Sequence, residues 1–181
     1  MIEDKLLILR FKQGRHDALR QIYDKYKVEL LRLAVVLLGD ANTAEDMVHD
    51  VFVKFARSAD RIKLTGNLKN YLVTSVINRV RNHLRDSNRH RQTNLDGAEQ
   101  LVSSRRGPRQ WAVLDEELTL LSRALQKLPY EQREVICLRM EMDMTFRQIA
   151  ARQKAPVNTV KGRYRYGITK LRSFLNGEVE K

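Results

Sequence analysis

A chain of 181 residues, 43% of them hydrophobic, is long enough for one domain or two small ones and apolar enough to bury a core, which excludes wholesale disorder. Eight Gly and three Pro are too few for a turn-rich β protein, and the single Cys137 excludes an internal disulfide. The net charge of +12 falls in two blocks: residues 61–92 hold 8 basic side chains against 1 acidic, and residues 129–181 hold 11 against 6. Residues 1–60 and 93–128 are neutral, with 10 and 5 charges of each sign. Charge added only for solubility would be spread along the chain, so two separated basic blocks point to two contacts with a polyanion. No basic and apolar leader follows Met1, and the longest apolar run, Leu33 to Leu38, is too short to span a bilayer. The expectation is a protein of the reducing cytoplasm with no membrane insertion.

In chain order, residues 3–12 read as a short helix closed by Gly14. A long helix follows from Asp17, with Leu19, Tyr23, Tyr26, Leu30, Leu33 and Leu37 at steps of four and three, and Gly39 ends it. Asn42 with Glu45 can cap the next helix, which runs to about Arg57 and turns Val48, Val51, Phe52 and Phe55 inward. Its outer face holds Glu45, Asp46, His49 and Asp50; acidic groups there either suit the helix dipole or meet a partner. After a polar loop over 59–67, Leu68 opens a third long helix. Its apolar positions are Tyr71, Leu72, Val76, Val80 and Leu84; its polar ones are Asn78, Arg79, Arg81, Asn82 and Arg85. It runs out into a basic tail over 85–91. Helices of this size make a compact bundle.

Residues 93–112 form a linker dominated by Asn, Gly, Ser and Pro. Order resumes around Trp111, and Leu114, Leu118, Leu121, Leu125 and Leu128 mark a helix stopped near Pro129. The next helix, from about Tyr130 to Met140, carries Val135, Ile136 and Met140 inward, with Cys137 as core. Thr145 and Gln148 make a capping-box pattern for a short helix with Ile149 and Ala150 inside. Pro156 suits the first turn of a last helix, where Val157, Val160, Tyr164, Ile168 and Leu171 form one face and Asn158, Lys161 and Arg165 the other. A short helix, a tight turn and a longer helix with a basic face fit a DNA major groove, although an amphipathic helix with a solvated face has the same pattern. The fold class is therefore all-α: two small helical domains (1–92 and 113–181) joined by a flexible linker (93–112), the C-terminal one a four-helix unit with a helix-turn-helix.

Nothing in the sequence marks an enzyme. The four histidines are scattered, none with Cys or another His at metal-ligand spacing, and no phosphate-cradling Gly loop is present. Ser58, Ser75 and Ser87 lack the setting of a nucleophile. Asp46 and Asp50 at i, i+4 lack a third acidic neighbour. The expectation is no catalytic residue, no metal and no cofactor.

Several stretches carry a family likeness. Leu128-Pro129, Glu131 to Ile136 and Leu138-Arg139 resemble an LP-x-EQREV-x-x-LR signature, and Ile149-Ala150 with Thr159-Val160-Lys161 and Arg163 resembles the helix-turn-helix that follows it. Ala44 to Phe52 is similar to an AED-LVQEVF segment, and Tyr71-Leu72, Asn78, His83-Leu84 and Arg85 fall where a promoter-reading helix stands. In this order, these motifs identify the chain as resembling bacterial RNA polymerase sigma factors of the extracytoplasmic-function (ECF) group. It departs from the pattern at Asp143 (usually Gly), at Gln153-Lys154 (usually Leu-Gly), at Gly162 (commonly Ser) and at His49 (usually Gln).

The resemblance implies a transcription-initiation protein that does no covalent chemistry. Its partners would be the clamp helices of core RNA polymerase, promoter DNA and an anti-sigma factor. Asp46, His49 and Asp50 would bind core polymerase. Arg61, Lys63, Asn78, Arg79, Asn82 and Arg85 would take the −10 element as separated strand, and Asn158, Thr159, Lys161, Arg163, Arg165 and Tyr166 would read the −35 element as duplex. Two other readings stand beside it. A conventional helix-turn-helix regulator explains the C-terminal half but not the basic block at 61–92, and a recombinase needs a nucleophile or metal cluster.

Overall fold

The computed structural model describes residues 2–58, 67–93 and 116–177, and among these it contains helices and no strand. Arg61, Lys63, most of the 93–112 stretch, Trp111 and Leu114 lie outside the described residues. The helices are α1 (Ile2–Lys12), α2 (His16–Leu38), α3 (Ala41–Arg57), α4 (Leu68–Thr93), α5 (Glu116–Gln126), α6 (Tyr130–Met140), α7 (Phe146–Gln153) and α8 (Val157–Leu175). They divide into two compact units: α1 to α4 without the end of α2, and α5 to α8 with Val35–Gly39.

The first unit is built on apolar stripes at helical spacing. Gly14 (φ 82°) and Gly39 (φ 78°) end α1 and α2 in the left-handed conformation that favours glycine. On α2 the expected Tyr26, Leu30 and Leu33 are buried, Leu19 and Tyr23 are half-buried, and Ala18, Ile22 and Ala34 are fully enclosed between them; the expected Leu37 is also buried and belongs to the second unit. On α3, Val48, Val51, Phe52 and Phe55 are buried as their spacing predicts. Burying such side chains contributes about 1.5–3 kcal/mol each. Phe55 stacks on Phe11 at 5.7 Å and meets Tyr71 at 6.0 Å, while Phe52 meets the edge of Tyr23 at 4.8 Å. The rings thus tie α1, α2 and α4 to α3.

Two expectations for this unit are corrected. Asp40, not Asn42, caps α3: its carboxylate accepts from Thr43 N–H at 2.9 Å and from the Thr43 hydroxyl. Burial opposes ionisation of Asp40, but these hydrogen bonds outweigh it and hold the carboxyl below its usual range. The chain turns one residue after Gly39, so the first available acidic side chain takes the cap. The second correction concerns α4, which continues through the basic stretch to Thr93. Arg, Asn and Gln are compatible with a helix already nucleated upstream, and Asn67 starts it by accepting from Lys69 N–H at 2.9 Å.

In the second unit α8 packs on α5, α6 and α7. The capping box forms: Thr145 Oγ1 accepts from Gln148 N–H at 3.3 Å, and Gln148 Oε1 accepts from Thr145 N–H at 2.8 Å. Ile149 and Ala150 are buried, and Phe146 meets the edge of Tyr164 at 5.4 Å, joining α7 to α8. Pro156 stands one place earlier than expected, as the N-cap of α8. Met140 is exposed rather than inward, because α6 ends there and the core is completed from the following turn by Met142 and Met144. Gly167 allows α6 and α8 to approach closely, since a Cβ there would lie 2.9 Å from Ile136 Cδ1.

Candidate polymerase-binding and nucleic-acid surfaces

In the first unit, the residues of α3 and α4 that the sequence singles out face away from the core. Burial of Ala44, Met47, Val48 and Val51 on one side of α3 leaves Asp46 and His49 exposed and Asp50 half-exposed on the other. The same logic applies to α4, where buried Val73, Val76, Ile77 and Val80 turn Asn78, Arg79, Asn82 and Arg85 out to solvent. Spacings of three and four put Asn78, Asn82 and Arg85 along one line, and Arg85 Nη2 lies 3.4 Å from Asn82 Oδ1.

The two surfaces meet at one ion pair. Arg79 Nη2 donates to Asp50 Oδ2 at 2.5 Å, with both side chains a little over two-fifths exposed. At that exposure the pair contributes about 0–1 kcal/mol to stability. Its interest is positional, because it joins the acidic face of α3 to the basic face of α4. Sequence spacing does not show this contact, since the partners are 29 residues apart.

In the second unit, α8 exposes Asn158, Thr159, Lys161, Arg165 and Tyr166. The Arg165 guanidinium lies 5.1 Å from the centre of the Tyr166 ring, a cation–π arrangement, and its Nη2 lies 3.4 Å from the Tyr166 hydroxyl, which leaves its other N–H groups toward solvent. Arg163 differs from the others: it is half-buried, and its Nη1 donates to Gln153 Oε1 at 2.8 Å. Pattern reading places Arg163 on the flank of the helix but gives no sign of this bond.

The second unit also encloses polar groups that apolar patterning misses. Arg133 is buried on α6 and donates to the Leu128 carbonyl at 3.2 Å and to Gln126 Oε1. Burial lowers its pKa, from a value so high that the guanidinium stays charged. Glu134 is more deeply enclosed, and Gln153 Nε2 lies 3.2 Å from its Oε2. Cys137, one turn on, is a core residue as expected, and burial pushes its thiol up to about 12, which leaves no reactive thiolate. Among the described residues no group of three His, Cys, Asp or Glu side chains is placed to hold a metal ion, and no helix is long and apolar enough to cross a membrane.

Comparison with known proteins finds one family match in each unit. The family model Sigma-70 region 2 matches residues 22–90, and Sigma-70, region 4 matches residues 124–173. The ECF RNA polymerase sigma factor EcfG of Rhodopseudomonas palustris is 30% identical over 148 residues, covering 81% of this chain and 78% of the relative. The ECF RNA polymerase sigma factor SigW of Bacillus subtilis is 26% identical over 181 residues, covering 94% of this chain and 96% of the relative. Among solved structures, the sigma factor RpoE in complex with the anti-sigma factor NepR from Bartonella quintana matches with a TM-score of 0.65 and 25% identity, covering 90% of this chain and 99% of that one.

Proposed function

The chain belongs to the extracytoplasmic-function group of RNA polymerase sigma factors, which direct core polymerase to promoters, and from that premise we propose how its surfaces divide the work. Residues 1–92 bind core polymerase and open the −10 element, residues 113–181 bind the −35 element, and 93–112 connect them. The α3 face of Asp46, His49 and Asp50 docks on the clamp helices of the polymerase. Asn78, Arg79, Asn82 and Arg85 of α4, with Arg61 and Lys63 before it, take bases and phosphates of the separated −10 strand. Extruding a base costs a few kcal/mol, which these contacts offset.

On α8, Lys161 and Arg165 are one helical turn apart and share a face with Asn158. Arg165 is the base reader, because a guanidinium can bond both O6 and N7 of guanine. Lys161 and Arg163 meet phosphates, which set register, and Thr159 and Tyr166 border the same face. No covalent chemistry and no cofactor are involved. The factor works in the cytoplasm, and an anti-sigma factor is its regulatory partner, by analogy with the RpoE complex.

One observation carries this reading: α3, α4 and α8 each spend one face on the core and leave the other to polar groups that no core requires. Asp50→Arg tests it. The substitution removes a docking carboxylate and sets a like charge beside Arg79. Core polymerase affinity in a fluorescence titration should fall about tenfold or more, while stability stays within about 0.5–1 kcal/mol. Unchanged affinity for core would move the docking surface elsewhere. Run-off transcription separates the factor from a stand-alone regulator, because only a sigma factor makes core polymerase initiate.

A further inference from the structure

One amide in the second unit spans three helices. Gln153, half-buried at the end of α7, donates through Nε2 to the Glu131 carbonyl at 3.0 Å and to Glu134 Oε2 at 3.2 Å, both on α6. Its Oε1 accepts from Arg163 Nη1 on α8 at 2.8 Å. Both groups on the α6 side are acceptors, so only the NH2 end of the amide satisfies them, and the carbonyl end is turned toward α8. Glu134 as a whole residue is only 1% exposed, which makes that orientation firm. Carboxylate, amide and guanidinium form a chain in which each donor faces an acceptor. A Leu at 153 could neither donate nor accept, and a Glu would set a second carboxylate against Glu134.

We propose that Gln153 is a positioning residue for promoter binding: it holds the Arg163 guanidinium in an orientation from which its remaining N–H groups meet a DNA phosphate. The proposal rests on the reading of α8 as the −35 helix. A guanidinium has five N–H donors, and the bond to Gln153 uses one. An arginine already fixed has less rotamer freedom to lose when it meets the phosphate, so Gln153 raises affinity without touching DNA. Because the contact is to phosphate, it raises affinity for every −35 sequence alike.

A double-mutant cycle on the holoenzyme tests this. The probe is a labelled promoter duplex that the wild-type holoenzyme transcribes, and dissociation is measured across a salt series. Arg163→Ala should weaken binding about tenfold, the scale of one charge-assisted hydrogen bond, and lower the salt slope by about one unit. Gln153→Leu should weaken binding roughly three- to fivefold with base preferences unchanged, and should have no further effect once Arg163 is alanine. Gln153→Met, which keeps the length of the side chain, repeats the test should the leucine variant fold poorly. An effect of Gln153→Leu that is equally large with and without Arg163 makes Gln153 a packing residue and overturns the proposal, as does wild-type affinity in both Gln153 variants. If Arg163→Ala itself leaves affinity and slope unchanged, the phosphate role of Arg163 is wrong and the proposal falls with it.

Discussion

The two units present polar surfaces on differently built supports. In α1 to α4 most of the enclosed positions are apolar, and the charges assigned to partners stand outside, held by the half-exposed Asp50–Arg79 pair. In α5 to α8 the interior itself is polar in places: Arg133 and Glu134 are buried, and Gln153 links Glu134 to Arg163. The second unit also holds two non-glycine residues in the left-handed conformation, Asp143 (φ 50°) and Lys154 (φ 49°), and one glycine pressed between helices. The difference matches the tasks proposed for them. A separated strand can adapt to an exposed face, whereas a duplex groove accepts a helix only at a set position and angle, which takes fixed contacts beneath it.

If that contrast is right, the largest losses lie at the close contacts under α8. Gly167→Ala places a methyl group 2.9 Å from Ile136 Cδ1 and 3.3 Å from Gln132 Cβ. It should destabilise the second unit by about 1–3 kcal/mol in chemical unfolding, with −35 binding lost in parallel. A neutral result would show that α6 and α8 can slide apart freely.

The exception in the first unit gives the next effect. Asp4 is buried at the start of α1 and accepts from Lys25 Nζ and from the Tyr26 hydroxyl, both at 2.9 Å. Burial disfavours its charge, but these hydrogen bonds prevail and hold its carboxyl below the usual range. Burial and the same bond push Tyr26 up to about 12. A depressed carboxylate contributes stability above its unfolded value, near pH 4, and loses it as pH falls through the lower folded value. Asp4→Ala should therefore cost about 1–3 kcal/mol at neutral pH. That deficit should shrink as the pH is taken below about 4, where the wild-type carboxyl also protonates. An equal deficit at pH 7 and pH 3 would mean that the side chain acts by packing alone.

A smaller and opposite effect is expected at the turn of the helix-turn-helix. Lys154 closes α7 with φ 49°, and the Ala155 N–H donates to the Ala150 carbonyl at 3.1 Å. Lys154→Gly should stabilise the unit by roughly 1 kcal/mol, since a side chain in that conformation costs about 1–2 kcal/mol and glycine has no such penalty. A rise in melting temperature without a change in promoter preference would show that Lys154 is a tolerated departure from the usual glycine.

How much of this was legible in the sequence depended on whether the information was periodic. The stripes on α2, α3 and α8 gave the helices and their inner faces, and the Thr145–Gln148 capping box formed as its spacing predicts. Legibility failed where a local competition decided. Asp40 took the cap assigned to Asn42 because it came first after the turn, and α4 absorbed a basic stretch that has no apolar stripe of its own. Met140 was misplaced because α6 ends at that residue, and Met142 and Met144 fill the core from the following turn. Contacts between distant residues were not legible at all. Neither Asp50–Arg79 nor Glu134–Gln153–Arg163 has a period, and only the replacement of the usual Leu at 153 hinted at the second.

The division between a strand-capturing face and a duplex-reading one is tested most directly by Asn78→Ala in the holoenzyme. Asn78 is exposed on α4, beside Arg79 and in line with Asn82, and has no part in the core. A base taken from the separated strand is contacted only after melting. The account therefore predicts closed-complex affinity close to wild type. Permanganate-reactive open complex should fall about tenfold, the equivalent of one lost hydrogen bond of roughly 1.4 kcal/mol. Normal thymine reactivity across the −10 element in Asn78→Ala would contradict the account, and so would a loss confined to the closed complex.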